Sequence, residues 1–168
     1  MIPGERIHYD LRHRPEIVAP DGSRRTIASM LVLPGRMAFG DYAWRDLPAV
    51  DAPIWIRVDL ARQLMSVFRG GDEIGAAVIV YGTDGRNTPT GIFPVRGKER
   101  MHRSRAYNAD MPFTLWLTAD GVAIHASTVE RGRATHGCIG VPSGFAEKMF
   151  AVVQRGDPVI VAPASSTA

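Results

Sequence analysis

The 168 residues contain a single cysteine, Cys138. That scarcity excludes an internal disulfide framework and leaves one free thiol. No apolar run is long enough for a membrane-spanning helix, and Met1-Ile2-Pro3-Gly4-Glu5 carries no hydrophobic signal segment. Excess charge is also scarce: 20 Lys and Arg stand against 17 Asp and Glu, for a net +3. So small a surplus permits an anionic partner without requiring one. No internal repeat is visible. What the chain does have is glycine, 17 residues, and proline, 12, set between short apolar runs. That distribution favours many short strands joined by turns. At 45% hydrophobic and 22% charged, the composition suits one globular domain with an arm.

From Ile54 the pattern is regular. Ile54, Ile56, Val58 and Leu60 share one strand face, with Arg57 and Asp59 opposite. Leu64 to Phe68 follows, and the Gly70-Gly71-Asp72 turn leads to a nearly unbroken apolar run, Ile74 to Tyr81, expected to be buried on both faces. Residues 82–91 read as a polar loop. Ile92 to Val95, Phe113 to Leu117 and Val122 to His125 are further strands, the last entered through Thr118-Ala119-Asp120-Gly121. The spacing predicts a mainly β structure, a β-sandwich or small barrel. One short C-terminal helix is expected, capped by Ser143, striped by Phe145, Met149, Phe150 and Val153, and ended by Gly156. Val159-Ile160-Val161 is a final strand, and residues 163–168 are expected to fray. Residues 1–52 form the arm. Glu16-Ile17-Val18 and Arg25-Thr26-Ile27 flank Pro20-Asp21-Gly22 as a hairpin, and Phe39, Tyr42 and Trp44 either cover an open edge or belong to a loose leader.

The chemistry concentrates in Ala134-Thr135-His136-Gly137-Cys138-Ile139. On an extended backbone His136 and Cys138 would project to one side, with Gly137 open between them. A second histidine, His125, closes the apolar run Val122-Ala123-Ile124. A thiol with two candidate imidazole partners suits nucleophilic catalysis. A small buried hydrophobe is the other reading of a lone cysteine.

His125 followed by Thr135-His136-Gly137-Cys138-Ile139 resembles the signature of the L,D-transpeptidases of the YkuD type. Ile56 to Leu60 with Gln63 to Phe68 is similar to the family's opening hairpin, Thr88-Pro89-Thr90-Gly91-Ile92-Phe93 to its TPTG-x-F loop, and Met111-Pro112-Phe113 with Val122 to His125 to the approach to its active site. The resemblance implies the family's β-sandwich-like catalytic fold over residues 53–162. It implies Cys138 as nucleophile, His125 as general base with its ring held by a carbonyl of Ala126 or Ser127, and His136 beside the thiol. Gly137 and Cys138 would supply oxyanion donors from their backbone, with Ala126 completing the backbone set. Thr135, Phe113, Ser127 and Arg103 are candidate substrate contacts. The expected partners are peptidoglycan stem peptides, with carbapenems as covalent inhibitors, in the periplasm or cell envelope. No cofactor is implied.

Three features depart from the family pattern. The loop between His125 and Thr135 has only nine residues, Gly140 stands where arginine or asparagine is usual, and Phe113 where tyrosine is common. The basic run Arg96, Lys98, Arg100, Arg103 and Arg105 is either a rim that binds stem carboxylates or a solvated loop. It belongs to no recognisable nucleic-acid motif. A metal site from His102, His125, His136 and Cys138 matches no standard zinc spacing. The rivals to transpeptidation are a thiol hydrolase of the same fold, acting as an L,D-carboxypeptidase or endopeptidase or releasing a wall-attached protein, and a wall-binding module without activity.

Overall fold

The computed structural model of the chain describes residues 1–2 and 4–164; from residue 165 on, the expected tail lies outside the described residues. The alternation after Pro53 forms the centre of the main sheet. β6 (Ile54–Asp59) and β7 (Leu64–Arg69) pair antiparallel, and β8 (Asp72–Val78) continues across the Gly70–Gly71 turn. Ile54, Ile56 and Val58 turn into the main core, as their period requires. The opposite face is covered too. Trp55 and Phe68 stack there with centroids 4.1 Å apart, and Trp55 Nε1 donates to the Gly70 carbonyl at 2.7 Å. A hairpin of β2 (Glu16–Val18) and β3 (Arg24–Thr26) accounts for the cover. Ala19 and Ile27 beside it join Trp55, Phe68 and Ile160 in a second apolar cluster.

Three more strands of the first 52 residues enter the main sheet directly. β1 (Arg6–His8) pairs β4 (Ser29–Leu31), while β4 and β5 (Tyr42–Trp44) occupy successive stretches of one β8 edge. With β9 (Gly91–Pro94) and β14 (Pro158–Ala162), the strand order is β1-β4-β8-β7-β6-β14-β9. The junction is partly polar. Glu73, 1% exposed, accepts from Ser66 Oγ at 2.6 Å and from the Leu31 N–H at 2.9 Å. Burial pushes its carboxyl above the usual range, and those two hydrogen bonds oppose the shift.

A second sheet has the order β10-β11-β12-β13, formed by β10 (Gly97–Ser104), β11 (Ala109–Trp116), β12 (Ala123–Ala126) and β13 (Ile139–Val141). The two sheets and α1 (Ser143–Val152) close over one core that includes Leu115, Ile124, Ile139, Val141, Phe145 and Met149. Among the described residues the structure is mostly β with one helix, as expected. Tyr42 and Trp44 pack edge-on against Phe145 of α1, at 6.1 and 5.6 Å. Among the described residues no helix is long and apolar enough to cross a membrane.

Two local expectations need correction. The basic run is no loop: residues 97–104 are a strand whose charged side chains are mostly exposed, so no apolar alternation marks it. Ser143 does not cap the helix. Pro142 holds that position without a side-chain bond, and the helix ends at Val152, before Gly156. Its C-terminus is capped from afar, where Lys98 Nζ donates to the Phe150 and Val153 carbonyls at 2.6 and 2.8 Å. A cation at that end also complements the helix dipole.

Candidate active site

Strand register sets the site. β12 and β13 run parallel with Ile124 opposite Ile139 and His125 opposite Gly140. Ile124, Ala126, Ile139 and Val141 face the core. By alternation His125, and Cys138 at the entrance to β13, belong to the other face. Both line one cleft of about 670 Å³, together with Ser127, Thr135, His136 and Gly137.

His125 Nδ1 lies 2.8 Å from the Ala126 carbonyl. A carbonyl only accepts, so Nδ1 carries the proton and Nε2 of the neutral ring keeps its lone pair. Burial lowers the His125 pKa below the ordinary histidine value, against the opposing effect of that hydrogen bond. Burial raises Cys138 above the ordinary thiol range, opposed by a backbone hydrogen bond from Ala123. At neutral pH the pair is therefore a thiol and a neutral imidazole. This arrangement suits proton transfer during attack, not a thiolate–imidazolium pair formed beforehand.

The residues before the thiol form a bend rather than a strand, so simple alternation does not relate His136 to Cys138. Gly137 has φ +114°, outside the range that L-residues favour. His136 instead stacks on Tyr107 at 4.1 Å and 9°, forming a wall of the cleft with the tip of the β10–β11 hairpin. Thr135 faces the cleft, but its hydroxyl serves the backbone. It donates to the Cys138 carbonyl and accepts the Gly137 N–H at 3.3 Å. The Gly137 N–H thus has an internal partner and is a poorer oxyanion donor than expected.

Thr88 pins this bend from the 82–91 loop. Its buried hydroxyl accepts the Gly82 N–H at 2.9 Å and donates to the Gly137 carbonyl at 2.8 Å. Its place in Thr88-Pro89-Thr90-Gly91 was the sequence signal, although nothing there revealed the partner. Gly140 also has a steric reason. A Cβ would stand 2.7 Å from Val80 Cγ2 and 2.8 Å from Ser127 Cβ, leaving no space for arginine or asparagine.

Two candidates are not brought to the cleft. Phe113 adopts φ +54°, which breaks the alternation of β11, and its ring meets Phe150 of α1 edge-on at 5.7 Å. Arg103 is held within its own hairpin by Asp110 at 2.6 Å and Asn108 at 2.8 Å. Tyr107, Arg86 and Arg133 line the cleft and were not singled out by the sequence.

Residues 53–161, well over half the chain, match the L,D-transpeptidase catalytic domain, YkuD. The chain belongs to that family. Among solved structures, an L,D-transpeptidase from Stackebrandtia nassauensis is similar at 22% identity and TM-score 0.61, covering 71% of this chain and 60% of that one. A mutant L,D-transpeptidase of Enterococcus faecium is 27% identical, with TM-score 0.59, over 66% of this chain and 50% of its own. L,D-transpeptidase 3 from Mycobacterium tuberculosis, in complex with a faropenem-derived adduct, is 20% identical at TM-score 0.59, covering 66% of this chain and 60% of that one. This L,D-transpeptidase domain thus spans about 50–60% of those chains. No curated protein sequence matches it.

Proposed function

We propose that this L,D-transpeptidase transfers acyl groups between peptidoglycan stem peptides through Cys138. The observation that carries the reading is the shared cleft of Cys138 and His125, with the His125 Nδ1 proton committed to Ala126 and Nε2 left as acceptor. The sulfur attacks the carbonyl carbon between an L-centre and a D-residue, and His125 takes the thiol proton. The C–N bond then breaks, and the D-amino acid leaves with that proton on its amine. In the second half an amine of a neighbouring stem attacks the thioester. It yields a proton to His125, which returns it to the departing sulfur. The product is a cross-link or an exchanged terminal D-residue. The reaction belongs in the cell envelope, where peptidoglycan lies.

Similar proteins have been solved with imipenem and with a faropenem-derived adduct. By the same thioester chemistry, a carbapenem should acylate Cys138 here. The test is intact mass after carbapenem treatment, together with product analysis on purified muropeptides. Dimers or exchanged termini support transpeptidation, while shortening alone assigns hydrolysis to the same thiol. Neither an adduct nor any product would refute thiol catalysis and leave a wall-binding role.

A further inference from the structure

We propose that a second cleft, adjoining the thiol cleft, binds a free carboxylate of the same peptidoglycan substrate, a proposal that rests on the acyl-transfer reading above. This cleft holds about 590 Å³, and Arg36, Phe39, Tyr81, Asp84, Arg131 and Arg133 are among its walls. Arg133 and Ala134 line the Cys138 cleft as well, so the two clefts adjoin along that segment.

Charge selects the occupant. Three arginines line this cleft against one acidic residue, Asp84, whose Oδ2 accepts from the Thr83 hydroxyl at 3.3 Å. Among the described residues no ion pair engages Arg36, Arg131 or Arg133. A concave surface with unpaired cations focuses its field on an entering anion, and the planar arginine fork matches a carboxylate. Phe39 and Tyr81 supply apolar wall for the chain that carries it. The wall shared with the thiol cleft, Arg133 and Ala134, favours the substrate's own carboxylate over an unrelated anion.

The cleft is also built, not merely exposed. Val129, 7% exposed, packs with Val78 and Val80, and Met37 and Phe39 pack against that cluster. The short loop after His125 is thereby anchored to the N-terminal segment, and its turn places Arg131 and Arg133 on the same cleft as Arg36. Arg36 and Phe39 precede the region matched to the family, so this chain's own N-terminal segment completes the cleft.

The test measures binding on the Cys138→Ala chain, where turnover cannot interfere. Calorimetric titration compares a stem tetrapeptide bearing free carboxylates with its amidated counterpart. The acid should bind about tenfold more tightly at low salt, and that preference should shrink as ionic strength rises. Adding Arg36→Gln and Arg131→Gln should bring the two peptides to within about twofold of each other. Equal affinity in the Cys138→Ala chain, or a preference that survives both arginine substitutions, overturns the proposal. Should the arginine variant show no folded melting transition, salt decides: a preference unmoved by ionic strength also overturns it. If the unmodified chain cross-links or exchanges stems while the preference is missing, only the carboxylate cleft is lost. If it neither turns over muropeptides nor takes up a carbapenem, the acyl-transfer reading fails instead.

Discussion

The two sides of the cleft hold their histidines in different ways. His125 stands on a strand, half-buried, with one ring nitrogen tied to the Ala126 carbonyl. His136 stands in a bend, exposed, and leans on Tyr107, itself 52% exposed. One imidazole is fixed by a sheet packed on the core, the other by a stack between two surface side chains. A base must present its lone pair in one direction, whereas a wall can yield. The contrast supports the proposed division, proton transfer on the strand side and shape on the loop side.

The largest expected effect removes what both sides serve. Cys138→Ala should abolish the carbapenem adduct and all muropeptide turnover while the melting transition persists; product from that variant would end the thiol mechanism. Next, His125→Ala should slow acylation by about two to four orders of magnitude, the range for a lost general base. His136→Ala should cost less than His125→Ala in the same stopped-flow assay. The opposite ranking would exchange their roles.

Dependence on pH sharpens the same contrast. Because burial depresses the His125 pKa, its neutral form persists below the ordinary histidine range, so the acidic limb of acylation should fall below about pH 6.5. Burial raises Cys138, so thiol alkylation should keep accelerating above about pH 8.5. Stability follows with matching signs. The His125 contribution is present above the unfolded value and lost as pH falls through the lower folded one. The Cys138 contribution is present below the unfolded value and lost as pH rises through the higher folded one.

The smallest effect concerns the brace between the loops. Thr88→Val keeps the shape but leaves the Gly82 N–H and the Gly137 carbonyl without that hydroxyl. A loss of about 1–3 kcal/mol in denaturant unfolding is expected. Acylation should slow with it, since Gly137 precedes the nucleophile. An unchanged midpoint and rate would show that the bend holds itself.

Much of the scaffold was legible from local pattern. The strand at 54–59 was marked by alternation, those at 64–69 and 158–162 by short apolar runs, and the arm hairpin by its Pro20-Asp21-Gly22 turn. The basic strand at 97–104 was not legible, because a mostly exposed strand needs no apolar face. Nor were the helix ends, where a lysine 52 residues before Phe150 in the chain serves as the cap.

The sequence alone determined the chemical inventory: one thiol, a histidine closing an apolar run, and a glycine before the cysteine. Those are covalent facts, and motif order was enough to read them. Tertiary structure decided which groups remain available. It committed the Thr135 hydroxyl and the Gly137 N–H to each other, turned Phe113 toward α1, and tied Arg103 into its own hairpin. It also gathered Arg36, Arg131 and Arg133 around one cleft from segments almost a hundred residues apart. The physical reason is common to all of these. Hydrogen-bond partners, desolvation and fields depend on distances in space, and chain order fixes those only between near neighbours.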